Sequence, residues 1–190
     1  DKSVKDIRPY TACAIIKNLK LTESTIKEII DIQEKLHIGM GRNRKKLAIG
    51  IYPLEKITLP IKYEARKPKD IKFTPLESPK EMTAQEILQK HPTGKEYAHL
   101  LEKLEKYPVF VDNSGKILSM PPIINSNETG KIMQETKDVF VECSGYDFNI
   151  LKKALNIIVT TLAEIGGTIY AMELEYSKKE ITPDLTPEKM

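Results

Sequence analysis

The sequence is poor in the residues that build metal and disulfide sites, with two cysteines and three histidines among 190 residues. Cys13 and Cys143 are far apart in apolar surroundings, which argues against a disulfide framework and a zinc site. Such cysteine use is typical of a reducing, cytoplasmic compartment. No histidine has cysteine or carboxylate partners at the spacing of a metal site, so no metal is expected.

Long apolar runs and a strong net charge are also absent. The apolar runs are far shorter than the roughly 20 residues that span a bilayer, and the first residues lack the apolar stretch of a signal peptide. Thirty basic and 27 acidic residues give a net charge of +3, too little to bind nucleic acid by bulk charge. The sequence therefore predicts no membrane partner, and any nucleic-acid contact must come from a local patch.

A hydrophobic fraction of 40% with 30% charged residues indicates a globular protein with a real core. Its periodicity predicts strands and helices in no regular alternation. The expected strands are 8–18, 47–52, 109–112, 116–120, 138–143 and 168–176. The expected helices start at caps on Thr22, Thr83, Thr93 and Asp147, and the third of them runs to about Tyr107. We therefore predict an α+β fold in which helices pack on mixed or antiparallel sheets.

The two ends of the chain suggest a piece of a longer polypeptide. The chain does not begin with methionine, and residues 182–187 are typical of a linker between domains. We therefore expect one domain over residues 1–178 and a linker toward a further domain over residues 179–190.

Glu142 is the most unusual residue of the chain because it interrupts the apolar strand 139–143. It is either a strand-end residue that reaches solvent or the polar group of a pocket at the edge of the sheet. Ser119 has a comparable place on the hairpin strand, just before the rigid segment 121–125. The residues alone leave both interpretations open.

The loop 39–46 is the densest basic stretch. It has neither the ending of a P-loop nor the third glycine of a dinucleotide fingerprint. Its cations either contact a phosphate backbone or form a solvated turn. They are Arg42, Arg44, Lys45 and Lys46.

Several segments together carry a family resemblance along nearly the whole chain. They are 8–10, 33–37, 44–50, 70–73, 118–125, 142–145 and 182–185. The run Ser-Met-Pro-Pro-Ile-Ile-Asn at 119–125 is the most specific. In this order the segments resemble the β subunit of archaeal and eukaryotic phenylalanyl-tRNA synthetase, in the region of its amino-acid-editing domain.

The resemblance implies a site that hydrolyses tyrosyl-tRNA(Phe) by attack of water on the aminoacyl ester. A pocket for phenylalanine rejects tyrosine only weakly, so a second site is needed to remove the wrong product. Glu142, expected to be ionised, would accept a hydrogen bond from the phenolic hydroxyl. Ser119 and Ser144 would be the catalytic residues that position the ester, the α-amino group or the water. The other implied pocket residues are Phe110, Pro121, Pro122, Asn125 and Gly145.

The resemblance also implies partners. The parent enzyme would be a cytoplasmic heterotetramer of two α and two β subunits that uses ATP and magnesium at sites outside this chain. The chain itself would need no cofactor, would bind tRNA through the basic loop, and would bind no DNA. Two alternatives remain: a non-catalytic module that holds the tRNA acceptor end, and a structural spacer in the same subunit.

Overall fold

The structure is a computed structural model that describes residues 1–176 and 178–186. The strands are β1 (Tyr10–Lys17), β2 (Leu47–Pro53), β3 (Lys62–Arg66), β4 (Lys72–Phe73), β5 (Met82–Thr83), β6 (Tyr107–Val111), β7 (Ile117–Met120), β8 (Ile124–Asn125), β9 (Val139–Gly145), β10 (Thr168–Glu175) and β11 (Lys179–Thr182). The helices are α1 (Glu23–Ile38), α2 (Ala84–Lys90), α3 (Pro92–Tyr97) and α4 (Phe148–Glu164). No helix within the described ranges is both long enough and apolar enough to cross a bilayer.

The larger sheet has the strand order β11-β10-β1-β9-β2, and every neighbouring pair is antiparallel. Side chains alternate along each strand, so one face is lined by apolar residues against which α1 and α4 pack. Helix α4 supplies Leu151, Leu155, Ile158 and Leu162 at helical spacing, each at most 1% exposed. The Asp147 side chain caps its first turn, as the sequence predicts.

The smaller sheet has the order β3-β6-β7-β8 and packs against the other face of the larger sheet. Its register sets Tyr63, Phe110, Ser119 and Asn125 side by side, so these side chains share one face. The rings of Tyr63 and Phe110 stack at 4.3 Å between the two sheets. The outer face packs on α2 around the fully buried Ile87. The chain is therefore built of four layers, with helices outside and two sheets inside.

The predicted α+β class with antiparallel sheets is confirmed, and one predicted helix is wrong. Thr83 and Glu86 form the expected capping box at the start of α2. Thr93 caps nothing, because Pro92 is the first residue of α3 and places Thr93 inside the first turn. Helix α3 ends at Tyr97 and is followed by a 3₁₀ turn, so it falls well short of Tyr107.

The first residues of the expected linker belong to the larger sheet. Strand β11 pairs with β10, with Thr182 opposite Met172. The Thr182 hydroxyl also accepts from the Cys13 N–H at 2.9 Å and donates to the Cys13 carbonyl at 2.6 Å. Residues 179–182 are therefore not linker, while the position of the domain boundary stays a prediction.

Helix α1 covers the free edge of β2, the last strand of the larger sheet. The Gln33 side chain donates to the Ile49 carbonyl at 2.8 Å, and the Ile49 N–H donates to His37 Nε2 at 2.8 Å. Since Nε2 is the acceptor, the ring proton is on Nδ1, which lies 3.1 Å from Glu34 Oε1. Two side chains thus satisfy main-chain groups that would otherwise form an open edge.

We expect His37→Ala to destabilise the chain, because it leaves the buried Ile49 N–H without an acceptor. The free energy of unfolding should fall by about 1–3 kcal/mol. Urea denaturation measures this, with His99→Ala as the matched control because His99 is exposed. Equal stability of the two variants would show that the edge contact contributes nothing.

Candidate functional site

A cavity of about 450 Å³ lies between α1, the outer edge of β2 and the segment 121–125. Its volume is within the range of roughly 300–1,000 Å³ that is usual for small-molecule sites. One wall is apolar and consists mainly of Ile26, Ile29 and Ile30 of α1. Polar residues also line the cavity, and three of them lie together around the Tyr52 hydroxyl and form its polar end. They are Ser119, Asn125 and Glu142.

The hydroxyl of Tyr52 connects the three polar residues at this end. It lies 2.8 Å from Ser119 Oγ, 3.1 Å from Glu142 Oε1 and 3.3 Å from Asn125 Oδ1. A phenol has one hydrogen to donate, so the other contacts require a donor on the partner. The serine hydroxyl and a protonated carboxyl can both supply one. The cluster therefore joins β2, β7, β8 and β9 through a single oxygen.

Glu142 is buried between the two sheets and is 2% exposed. Burial raises the pKa of its carboxyl to about 8, against weaker opposing effects of the Tyr52 hydrogen bond and the Arg8 charge. The raised pKa favours the neutral acid near neutral pH, whereas the sequence suggests the ionised form. Its Oε2 is buried and has no hydrogen-bond partner among the described residues. Because Glu142 lines the cavity, this oxygen has an unused hydrogen-bonding capacity beside it.

Gly50 makes the contact between Tyr52 and Glu142 sterically possible. Gly50 and Glu142 are opposite each other in the pairing of β2 with β9. A Cβ at position 50 would lie 2.2 Å from the Tyr52 hydroxyl and 2.6 Å from Glu142 Oε1. Every other amino acid at this position would separate the phenol from the carboxyl.

The structure brings together five of the pocket residues expected from the sequence and leaves three outside. Ser119, Pro121, Pro122, Asn125 and Glu142 line the cavity. Phe110, Ser144 and Gly145 do not, contrary to a single shared pocket. Their roles in the site stay predictions.

Other contacts account for the residues that do not line the cavity. Phe110 stacks on Tyr63 in the core between the sheets. The Ser144 hydroxyl accepts from Arg8 Nε at 3.2 Å, and its carbonyl accepts from Arg8 Nη2 at 2.7 Å. Gly145 allows close approach of the basic loop, since a Cβ there would lie 2.2 Å from the Lys46 carbonyl oxygen.

Of the four cationic side chains in the basic loop, one is directed into the fold and three are exposed. Arg44 donates to Glu34 Oε1 at 2.8 Å and to the Ile123 carbonyl at 3.0 Å, and its guanidinium lies 4.5 Å from the centre of the Tyr97 ring. Arg44 is thus mostly buried and its charge is paired with Glu34, so it is less available to a phosphate than the other three cations. Its role in tRNA binding stays a prediction. The three outward cations are exposed. They are Arg42, Lys45 and Lys46.

Sequence reasoning missed Tyr52 and Gly50. Both lie in an apolar run that reads as a plain buried strand. Because side chains alternate between the two faces of a strand, Gly50 and Tyr52 lie on the same face of β2. This spacing is the one sequence signal that relates them. Which residues they meet depends on the pairing with β9, which no local pattern reveals.

Covalent thiol chemistry has little support here. Both cysteines are buried, and burial raises the pKa of the Cys13 thiol to about 12 and that of Cys143 well above its ordinary value. In the part of the chain that the structure describes, no three metal-ligating side chains come together.

We expect Glu142→Gln to remove a pH dependence of stability. The folded-state pKa of Glu142 is raised from 4.5 to about 8, so its stabilising effect is complete below pH 4.5 and is lost as the pH rises through about 8. The unfolding free energy of the wild type should fall relative to the glutamine variant by up to about 1.4 kcal/mol per pH unit in this window. Urea denaturation at pH 5 to 9 measures the difference, and parallel curves would contradict the raised pKa.

The geometry is that of a two-sheet α+β domain with a cavity of ligand size. Residues 8–167 match the model of a family described as the B3/4 domain. The chain belongs to this family.

Its relatives are phenylalanine–tRNA ligase β subunits. Those of Thermococcus sibiricus and Pyrococcus furiosus are 46% and 47% identical over 190 residues, which is 100% of this chain and 34% of each relative. The chain thus spans about one third of the length of these curated relatives. In structure it is similar to an N-terminal fragment of the phenylalanyl-tRNA synthetase β subunit from Pyrococcus horikoshii. That match has a TM-score of 0.96 and 44% identity, and it covers 99% of this chain and 54% of the other. The family resemblance seen in the sequence is confirmed.

Proposed function

We propose that the cavity is an editing site that hydrolyses tyrosyl-tRNA(Phe) by attack of water on the aminoacyl ester. The observation that carries this proposal is the unpartnered Oε2 of Glu142, a buried residue that lines a cavity with an isoleucine wall. The relatives are ligases for phenylalanine, an amino acid that differs from tyrosine by one hydroxyl. A pocket built for phenylalanine excludes tyrosine weakly, so such a ligase benefits from a second site.

Selection at this site would depend on the phenolic hydroxyl of the ligand. The isoleucine wall accepts the ring of either amino acid, but the hydroxyl of tyrosine is needed to reach Glu142 Oε2. A neutral carboxyl both donates and accepts hydrogen bonds, so it can pair with a phenol without a net charge. Phenylalanine would leave the buried oxygen unpaired, at a cost of about 1–3 kcal/mol.

Hydrolysis requires a positioned water rather than a strong nucleophile, because the ester is already activated. The water oxygen bonds to the ester carbonyl carbon, the bond from that carbon to the ribose oxygen breaks, and the proton passes to the ribose oxygen. Ser119 and Asn125 belong to the same cluster as Glu142, so they would help to hold the phenolic end of the tyrosine. The water would be held beside the ester, at the other end of the ligand. Ser144, also expected to be catalytic, contacts Arg8 and would act on the reaction indirectly.

The rest of the proposed setting follows from the relatives. The chain would be part of a β subunit that assembles with an α subunit in an α2β2 ligase of the cytoplasm. ATP and magnesium would bind elsewhere in that enzyme. The substrate of this domain would be tRNA(Phe) mischarged with tyrosine, whose backbone meets the exposed cations of the basic loop.

We expect Glu142→Ala in the full-length ligase to slow hydrolysis of tyrosyl-tRNA(Phe). Removal of the hydrogen-bonding carboxyl should lower kcat/KM roughly tenfold or more, and Glu142→Gln should give an intermediate value. A deacylation assay with tyrosyl- and phenylalanyl-tRNA measures this, and Glu105→Ala is the control because Glu105 is exposed. Wild-type rates in folded Glu142→Ala would exclude Glu142 as the recognition group. Binding of tRNA without any hydrolysis by the wild type would favour the non-catalytic module.

We expect a triple replacement of Arg42, Lys45 and Lys46 by alanine to weaken tRNA binding. Each lost phosphate contact should reduce the slope of log affinity against log salt by about 1. Binding titrations at several salt concentrations measure the slope. The matched control replaces the exposed Lys67, Lys69 and Lys103. If both triple variants lose affinity equally, the loop makes no specific contact.

A further inference from the structure

Ile51 on the edge strand β2 has main-chain groups that point out of the sheet. In an antiparallel ladder, a residue has both its N–H and its C=O either toward its partner strand or away from it, and the two cases alternate. Ile49 is of the outward kind, because its N–H and C=O are bound by His37 and Gln33 of α1. Ile51, two residues further along the regular pairing with β9, must be outward as well.

Helix α1 does not close the edge at Ile51 as it does at Ile49. One to two turns before Gln33 the helix presents isoleucines to the cavity, and their side chains have no hydrogen-bonding atoms. Ile51 itself lines the cavity and is 3% exposed. Within residues 1–176 and 178–186, its outward N–H and C=O have no hydrogen-bond partner.

An unpaired donor and acceptor in a buried place point to a ligand. More than about 90% of buried main-chain groups in proteins are paired, so a free pair on a cavity wall is unusual. An open strand edge binds extended main-chain groups, as in peptide recognition by strand addition. Ile51 is also the residue between Gly50 and Tyr52, so this edge adjoins the polar cluster around Glu142.

We propose that Ile51 binds the main-chain part of the aminoacyl ligand. Its C=O accepts from the α-ammonium group, and its N–H donates to the ester carbonyl oxygen. This inference rests on the proposed function and adds the recognition of the amino-acid backbone to the recognition of the phenol. When water attacks, the electron pair of the carbonyl moves onto its oxygen, and the Ile51 N–H stabilises that charge until the bond to the ribose oxygen breaks.

A pair of variants isolates the Ile51 N–H. Ile51→Pro and Ile51→Ala both lose the isoleucine side chain, but proline alone also loses the N–H. Proline is tolerated on an edge strand where its nitrogen faces away from the ladder. In the full-length ligase, Ile51→Ala should keep most of the kcat for tyrosyl-tRNA(Phe), and Ile51→Pro should lower kcat about 100-fold further with little change in KM. Equal kcat values in the two folded variants would overturn the inference.

A measurement on the wild type remains valid if the proline variant does not fold. The ¹⁵N-labelled chain is titrated with the non-hydrolysable 3′-amide analogue of tyrosyl-adenosine, and amide signals are followed by NMR. The Ile51 amide proton should move downfield and exchange with solvent at least tenfold more slowly, while the amide of Tyr170 on the far side of the sheet stays unchanged.

The outcomes separate this inference from the proposed function. If the analogue shifts Tyr52 and Glu142 but leaves Ile51 unchanged, the backbone contact is wrong and the editing site stands. If the analogue does not bind and the full-length ligase does not hydrolyse tyrosyl-tRNA(Phe), both are wrong.

Discussion

The contact between the Tyr52 hydroxyl and the Glu142 carboxyl, buried between two sheets, is the constraint on which the site depends. An ionised carboxylate in such a place is costly unless it is paired, so the fold keeps the group neutral and gives it a phenol. The phenol in turn contacts Ser119 and Asn125 on the smaller sheet. Glycine at position 50 gives these atoms room to meet. One hydrogen-bonded cluster therefore fixes how the two sheets face each other and where the cavity has its polar end.

The cavity results from a difference between the side chains of the earlier and the later turns of α1. The later turns of α1 carry Gln33 and His37, which bind the edge of β2 directly. Its earlier turns carry isoleucines, which cannot bind main-chain groups and leave a space beside Ile51. Arg44 then joins the end of the helix to the segment 121–125 through Glu34 and the Ile123 carbonyl. The same helix thus pairs the main-chain groups of β2 at Ile49 and leaves those at Ile51 unpaired.

The sequence predicted those parts of the fold that local patterns determine. Helix α4, the hairpin of β6 and β7, and strand β9 have strong periodicity and clear caps or turns, and each is present. Glu142 was noticed because a charged residue interrupts an apolar strand. The sequence suggests an ionised carboxylate because it does not show the burial by the second sheet, and this burial raises the pKa of Glu142. The inward direction of Arg44 and the meeting of Tyr52 with Ser119 also depend on contacts between distant segments, which a local reading does not contain.

Arg8 fixes the position of the basic loop relative to strand β9, which lines the cavity through Glu142. Its guanidinium is buried and binds both the hydroxyl and the carbonyl of Ser144 on β9. The same group donates to the carbonyls of Arg44 and Lys45 in the loop. Strand β9 also carries Glu142, two residues before Ser144, so the loop and the Glu142 carboxyl are fixed to the same strand. Ser144 therefore has a defined structural contact, and its expected catalytic role stays a prediction. In the proposed function, such rigidity would let one binding event orient both the charged backbone and the reactive aminoacyl end of the substrate.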